Sequence, residues 1–205
     1  MYIPASFSET DAATLYQFMR DNNFATLVTA VETQVTATHL PFLVDAGRGV
    51  LRAHLARANV QWQHFDGREA LVIFQGPHAY VSPTWYEAHP SVPTWNYTAA
   101  HVYGVPHIVS DETLLRRMLR ELVEQHERDR RPEWQMHLPE EYMHRMMQAI
   151  VGFELAITRI EGKFKLSQNR SEADVAGVIA ALSASPAAHD RETGALMASR
   201  RASSA

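Results

Sequence analysis

Apolar and β-branched residues fill several short segments in the first half of the chain, and short polar or glycine-containing turns separate most of them. Segments of this kind are typical of β-strands, and their density favours an antiparallel barrel or sandwich. The predicted strands are Phe24–Val31, Val35–Val44, Val50–Leu55, Ala70–Gln75, Ala79–Val81 and Ala99–His107. The first two predict a β-hairpin, and Gly76-Pro77 predicts a turn between the fourth and the fifth.

Helical spacing of apolar residues marks other segments. A capping-box pattern starting at Ser8 predicts a helix over Glu9–Asp21, and Asn59 is expected to cap a short helix that runs to Phe65. A helix capped by Ser110 has an apolar stripe formed by Leu114, Leu115, Met118, Leu119, Leu122 and Val123. Further predicted helices are Pro139–Ala149 and Ser171–Leu182.

The alternating segment Val151–Ile157 predicts one more strand, which a turn at Glu161-Gly162-Lys163 is expected to end. No linker marks a second domain. The chain is therefore expected to form a single domain over residues 1–185, followed by a polar tail at 186–205 with weak helical character.

The stretch Gly76–Tyr97 is unusual because it contains Pro-Thr-Trp twice, at Pro83–Trp85 and Pro93–Trp95. Its prolines argue against an unbroken helix and against a central strand. We therefore predict a folded loop whose aromatic side chains face something flat. A neighbouring subunit, a planar ligand, or both, would satisfy this description.

Composition narrows the classes of function. The formal net charge is -4, which argues against a broad nucleic-acid-binding surface. The chain has no cysteine, so thiol catalysis, disulfides and thiolate metal sites are excluded. No run approaches 18 apolar residues, and the first residues do not resemble a signal peptide. The expectation is a cytoplasmic protein with no membrane association.

Arg57 and Asn59 follow a predicted strand and open a predicted helix. Free N–H groups at a helix start attract anions, and an arginine beside them adds a charged grip on phosphate. A surface ion pair is the alternative for Arg57. The two lysines of the chain, Lys163 and Lys165, share one short window, where an arginine-biased coding preference or a specific contact explains their choice.

Other polar residues are weaker candidates. Thr36, Thr38 and His39 are expected either to contact the polar edge of a ligand or simply to form the solvent-exposed face of a strand. His54 is a further candidate because it ends the next predicted strand. Trp62 suits a core, a subunit contact or a stacking wall. The eleven histidines show no HExxH motif, so no metal site is expected. No paired nucleophile and base can be assigned.

Nine segments in order resemble the PaiB-like proteins, which are described as FMN-binding negative transcriptional regulators. The segments are Met1–Pro4, Phe24–Ala30, Ala37–Pro41, His54–Trp62, Leu71–Pro77, Ala79–Tyr86, Val92–Tyr97, Ile150–Glu154 and Gly162–Asn169. The resemblance extends from about Met1 to Leu182. One departure is Glu87–Ser91, where the family commonly has a longer insert containing lysine and glycine, so contacts made by that insert are not transferred.

The resemblance implies an FMN-binding split β-barrel of the six-stranded antiparallel Greek-key type with peripheral helices, related to pyridoxamine-phosphate oxidases. It also implies a homodimer that holds FMN at the subunit interface. Carried over by position, Arg57 and Asn59 serve the phosphate with His54 nearby, and Thr36, Ala37, Thr38 and His39 line the flavin. The residues expected to close the pocket from the other subunit are Trp85, Tyr86, Trp95, Asn96 and Tyr97. Lys165 and Gln168 are further candidates.

Three functions follow as hypotheses. The first is a flavin-dependent oxidoreductase acting on a small molecule, in which the cofactor supplies the chemistry. The second is a negative regulator of transcription, although no helix-turn-helix with a basic recognition face is apparent and direct DNA binding is disfavoured. The third is a haem-binding or haem-degrading split barrel.

Overall fold

The computed structural model describes residues 1–202, and over these residues it contains eight strands and five α-helices. The strands are β1 (Ser8–Glu9), β2 (Phe24–Val31), β3 (Gln34–Pro41), β4 (Leu43–Asp45), β5 (Val50–Ala56), β6 (Ala70–Val81), β7 (Thr94–Ile108) and β8 (Ile150–Lys165). The helices are α1 (Ala12–Asp21), α2 (Glu112–Glu127), α3 (Glu140–Gln148), α4 (Glu172–Ser183) and α5 (Ala188–Ala202). Short 3-10 turns cover Ala5–Phe7, Val60–His64 and Pro83–Trp85.

The strands form a single sheet in the order β3-β2-β6-β7-β8-β5-β4, with β1 paired to β8. The predicted hairpin is confirmed, because β2 and β3 pair in antiparallel register from Phe24 opposite Pro41 to Val31 opposite Gln34. β5 pairs with β8 in the same sense, from Val50 opposite Ala156 to Ala56 opposite Ile150. β3 therefore lies at one edge of the sheet, where one side of its backbone is left without a strand neighbour.

Two predicted turns are wrong because long strands run straight through them. β6 continues past Gly76 and Pro77, and β8 continues past Glu161, Gly162 and Lys163. Gly162 lets neighbouring chain approach closely, since a Cβ there would lie 2.7 Å from the carbonyl oxygen of Glu9 in β1. The aromatic loop is also shorter than predicted, because its last residues, Thr94–Tyr97, begin β7.

The predicted positions of α1 and α2 are confirmed, but their N-terminal capping residues are not the predicted ones. α1 begins three residues later than predicted, and Asp11 accepts a hydrogen bond from the Thr14 N–H at 2.7 Å. Asp111, rather than Ser110, caps α2 through the N–H groups of Thr113 and Leu114. In both cases the aspartate replaces the predicted serine because its carboxylate accepts the free N–H groups and also suits the positive end of the helix.

Contacts divide the chain into two compact units where one domain was expected. The central unit comprises Tyr16–Phe74 and His101–Ile160. Its core joins Leu43 to Leu115 and Met118 of α2 and to Met143 and Met147 of α3. β3 also contacts β5, so the sheet of this unit curves around its interior.

The terminal unit comprises Met1–Leu15, Gln75–Ala100 and the chain from Glu161 onward. The segment after residue 185, for which the sequence predicts a polar tail of weak helical character, forms helix α5 as far as Ala202, and residues 203–205 lie outside the described chain. Thr193 and Met197 of α5 are buried, and a Cβ at Gly194 would lie 3.1 Å from the Cβ of Leu182 in α4. Small residues at this crossing allow two short helices to pack closely. The low hydrophobicity of the segment gives no indication of this packing.

Candidate functional site

Gln61 organises the polar side of the hairpin in the central unit. It is fully buried, and its Nε2 donates to the carbonyl oxygen of Leu27 at 3.2 Å and to Thr29 Oγ1 at 3.1 Å. The same nitrogen lies 3.1 Å from the carbonyl oxygen of Thr36, and Oε1 accepts the hydroxyl of Thr38. The 3-10 turn Val60–His64 is thereby fixed against β2 and β3. Sequence reasoning missed Gln61, because a glutamine beside a tryptophan gives no signal that it is buried.

Asn59 and Thr38 extend this network toward the surface. Asn59 Nδ2 donates to Thr38 Oγ1 at 2.9 Å, and Asn59 Oδ1 accepts the Gln61 N–H at 3.0 Å. The predicted cap at Asn59 is confirmed, although the element is a 3-10 turn and not an α-helix. Gln61 Nε2 reaches both the Leu27 and the Thr36 carbonyl oxygens, so the backbone groups of Thr36 face β2, and those of the alternate residues Ala37 and His39 face the open edge of β3.

Arg57 is exposed but its side chain is held in place by main-chain carbonyl groups. Nε donates to the Gln148 oxygen at 2.6 Å and Nη2 to the Ile150 oxygen at 2.8 Å, at the junction of α3 and β8. Within residues 1–202, Nη1 has no hydrogen-bond partner. The alternative, a surface ion pair, is not made by any carboxylate among the described residues, so within them the positive charge of Arg57 is not neutralised by a bonded carboxylate.

A cavity of about 360 Å³ opens beside Arg57 and Trp62. The indole Nε1 of Trp62 donates to the Arg57 carbonyl oxygen at 3.0 Å, so the ring forms a fixed wall of the cavity. The other walls come from α2, α3, β7, β8 and the residues that join β7 to α2. They combine apolar side chains with the polar residues Ser110, Glu112, His144 and Gln148. This volume lies within the range of small-molecule sites.

The two candidate histidines of the hairpin region have different surroundings. His39 is exposed, its Nδ1 lies 2.8 Å from Thr26 Oγ1, and its ring stacks on Phe24 at 6.5 Å between centroids. Ala37 is exposed on the same strand. His54 lies on β5 opposite Gly152, and burial lowers the pKa of its imidazole from 6.5. His54 is therefore uncharged at neutral pH.

Lys165 and Trp95 are neighbours in the terminal unit. Lys165 Nζ donates to Thr94 Oγ1 at 2.6 Å and to the carbonyl oxygen of Trp95. The pKa of Lys165 is lowered, first by burial and then by the charges of Lys163 and Arg170. The Trp95 side chain is 54% exposed, and Tyr80 meets its ring edge-on at 5.9 Å. An aromatic surface beside a cationic amine suits a planar, electron-rich ligand.

The other aromatic-segment candidates are more enclosed. Tyr86 and Asn96 are buried, with Arg170 lying 4.3 Å above the Tyr86 ring and Asn96 Nδ2 donating to Ser167 Oγ at 2.9 Å. Trp85 and Tyr97 are half-buried, whereas Gln168 is exposed and its Oε1 accepts the Leu166 N–H at 2.7 Å. Of this set, Trp95 presents the largest aromatic surface.

Thus the structure joins Thr36, Thr38 and Asn59 through Gln61, and it places Arg57 against Trp62. His54 and His39 are not bonded to this network. Over residues 1–202, no group of three or more histidine, aspartate or glutamate side chains is arranged to hold a metal ion. In the same range, no helix combines the length and the apolar character needed to cross a bilayer.

The sequence comparison decides the family. The family described as "Putative FMN-binding domain" matches residues 1–159. The chain belongs to this family. A relative from Bacillus subtilis, named "Protease synthase and sporulation protein PAI 2", is 39% identical over 184 residues, which cover 87% of each chain. The resemblance to PaiB-like proteins is therefore confirmed.

Solved structures similar to this member of the FMN-binding-domain family confirm its fold. The flavocytochrome Anf3 from Azotobacter vinelandii has a TM-score of 0.63 at 14% identity, covering 83% of this chain and 75% of that one. The FAD and heme binding protein from Mycobacterium smegmatis has a TM-score of 0.62 at 16% identity, covering 82% and 78%. The split barrel is confirmed. The described residues contain eight strands, one more than the seven segments for which the sequence pattern predicts strands.

Proposed function

We propose that the chain binds FMN as a homodimer and positions the flavin for reaction with a small molecule. The observation that carries this proposal is the Arg57 guanidinium, which is held by two neutral carbonyl groups beside the 360 Å³ cavity. An arginine without a bonded carboxylate keeps its charge for a phosphate, and Nη1 is the donor that meets it. Membership of the FMN-binding-domain family supports the choice of flavin.

The other residues of the central unit fit the remaining parts of FMN. The open edge of β3 at Ala37 and His39 offers backbone donors and acceptors to the polar edge of the ring system, and Thr36 and Thr38 stand beside them. Asn59 supports this edge through its bond to the Thr38 hydroxyl. When bound, FMN supplies the transfer of hydride or single electrons, so no nucleophile from the chain is required.

We assign the aromatic residues Trp85, Tyr86, Trp95, Asn96 and Tyr97, with Lys165 and Gln168, to the partner copy's side of the proposed site. Trp95 and Lys165 make the contacts, because they are the exposed aromatic surface and the amine beside it. Tyr86 and Asn96 are buried and support that surface from within. Exposed apolar side chains of the central unit, such as Phe24 and Val60, favour association with another chain.

The test is a titration of purified, folded protein with FMN, followed by the quenching of flavin fluorescence. We expect saturable binding at one FMN per chain. A folded dimer that binds no FMN at high micromolar concentration contradicts the proposal. Haem titration is the parallel measurement, since a Soret band without flavin binding would favour the haem hypothesis. The Mycobacterium smegmatis neighbour is described as binding both FAD and haem.

A role in regulating gene expression is the second candidate, and the name of the Bacillus subtilis relative favours it. Helix α2 gives little support for direct contact with DNA. Its Leu115 and Met118 are buried in the core, and its Arg116 donates a hydrogen bond to Glu140 at 2.9 Å. We therefore favour an indirect effect through the flavin. A gel shift whose affinity falls steeply with salt would instead establish direct binding, because phosphate contacts release counterions.

A further inference from the structure

A second cavity, of about 430 Å³, lies wholly in the terminal unit. Three arginines line it: Arg170, just before α4, and Arg200 and Arg201 in the last turn of α5. Ser6 and Ser8 add two hydroxyl groups from the start of the chain. Except for these two serines, the lining residues lie beyond residue 159, where the family match ends.

The charge in this cavity is only partly neutralised by carboxylates. Arg200 bonds Glu9, and Arg201 Nη2 lies 3.5 Å from Glu172 Oε2, whose side chain is 93% exposed. Arg170 lies flat on Tyr86 at 4.3 Å and reaches Ser91 Oγ at 3.4 Å, so its in-plane donors are held in a fixed direction. Three guanidinium groups thus face two carboxylates, and one of these carboxylates is in open solvent.

The charged residues that line the cavity are three arginines and one glutamate, and one further carboxylate lies near Arg170. Asp174 on α4 is buried and already accepts the Glu87 N–H at 2.8 Å and the Ala88 N–H at 3.2 Å. The pKa of this carboxyl is lowered first by the Ala88 N–H and also by the charge of Arg170, so Asp174 offsets part of the Arg170 charge. The pKa of Lys165 is lowered by burial and also by Lys163 and Arg170, which means that a positive potential extends across this part of the terminal unit.

The remaining walls of the cavity are apolar and come from Leu166, Val175 and Met197. Two of these side chains are buried against the rest of the unit, so the wall is rigid. A site with convergent guanidinium and hydroxyl donors on one side and an apolar wall on the other fits a small molecule with both characters.

We propose that this cavity binds a small organic oxyanion, a molecule that carries a phosphate or carboxylate group on an apolar body. Arg170 and Arg201 grip the oxyanion, and Leu166, Val175 and Met197 contact the body. Arg200 holds the N-terminal segment in place through Glu9, so that Ser6 and Ser8 remain at the rim. The site is separate from the proposed FMN site, and of the residues assigned to FMN it shares only Gln168.

Calorimetric titration of the full chain with inorganic phosphate and with succinate tests the proposal, with sodium chloride of equal ionic strength as the reference. We expect saturable binding of at least one of the two probes. Arg170→Ala/Arg201→Ala should weaken that binding about ten- to a hundred-fold, the range for lost charge-assisted hydrogen bonds. The matched control Arg117→Ala, an exposed arginine on α2 outside the cavity, should bind like the parent chain.

The single variants Arg201→Ala and Arg201→Lys guard against misfolding, because Arg201 is exposed at the end of α5. Alanine should weaken binding, and lysine should restore part of it. The FMN affinity of these Arg201 variants is measured in parallel and should not change. The proposal is overturned if neither probe binds better than chloride, if the double variant binds like the parent, or if FMN affinity falls together with probe binding. Failure of FMN to bind the parent chain leaves the probe result standing.

Discussion

At the scale of single residues, Arg57 carries the greatest weight in the proposed flavin site. We expect Arg57→Ala to weaken FMN binding by about 1–3 kcal/mol, since it removes a charge-assisted contact to the phosphate. Arg57→Lys should be intermediate, because lysine keeps the charge but cannot hold both the Gln148 and Ile150 carbonyls. Fluorescence titration measures the affinities, with Arg117→Ala as the control. Unchanged affinity in Arg57→Ala would move the phosphate site elsewhere.

His54 leads to a prediction of how the stability of the folded chain depends on pH. Its pKa is lowered by burial in the folded chain, so the folded state binds this proton less readily than the unfolded state. The folded chain therefore loses stability as pH falls below the unfolded value of about 6.5, and the loss levels off below the lowered pKa. Urea unfolding at pH 7.5 and 5.5 should show a larger loss for the parent chain than for His54→Gln. Equal losses would mean that His54 is charged without penalty.

At the scale of elements, Gln61 is the joint between the hairpin and the 3-10 turn. Gln61→Met keeps similar bulk but removes the hydrogen bonds that the Gln61 side chain makes to the Leu27 and Thr36 carbonyl oxygens and to the Thr38 hydroxyl. We expect the free energy of unfolding to fall by at least about 2 kcal/mol, because each unsatisfied buried group costs about 1–3 kcal/mol. Gln63→Met in the same turn is the matched control, since Gln63 is exposed. A similar effect of both substitutions would contradict this role for Gln61.

The packing of α4 on the Pro83–Trp85 turn depends on Gly177. A Cβ at this position would lie 2.3 Å from the Trp85 carbonyl oxygen, which is main chain and cannot simply turn away. Gly177→Ala should therefore destabilise the chain by about 1–3 kcal/mol, although alanine is favoured over glycine in helices by about 1 kcal/mol. Thermal unfolding decides the sign. Ala176→Gly, at an exposed position of the same helix, measures the propensity effect alone.

At the scale of the whole molecule, sequence patterns predicted most strands and helices but not where the long strands end. The β2–β3 hairpin follows from its β-branched residues, and α2 from its apolar stripe. Gly76-Pro77 and Glu161–Lys163 look like turns locally, yet sheet pairing carries the backbone through them. Local propensity is a weak guide where tertiary pairing satisfies the backbone.

The sequence predicts which segments carry candidate site residues, but it does not predict the hydrogen bonds between those segments. The sequence predicts Arg57 and Asn59 as candidates because they follow a strand. It gives no signal for Gln61, because the hydrogen bonds of Gln61 to Leu27 and Thr36 join positions far apart in the chain. For a related reason the sequence predicts only weak helical character for α5. Its hydrophobic residues are few, and its burial depends on small residues such as Gly194 at the crossing with α4.

The proposed dimer yields the last prediction, because it divides the flavin site between two copies. Light scattering should give twice the 23.2 kDa mass of one chain. Arg57→Ala and Trp95→Ala should each weaken FMN binding, and a dimer formed by exchange between the two variants should regain some sites of full affinity. Such a dimer has one site with both substitutions and one with neither when Arg57 and Trp95 come from different copies. If both residues acted within one copy, every site would carry one substitution and exchange would restore nothing.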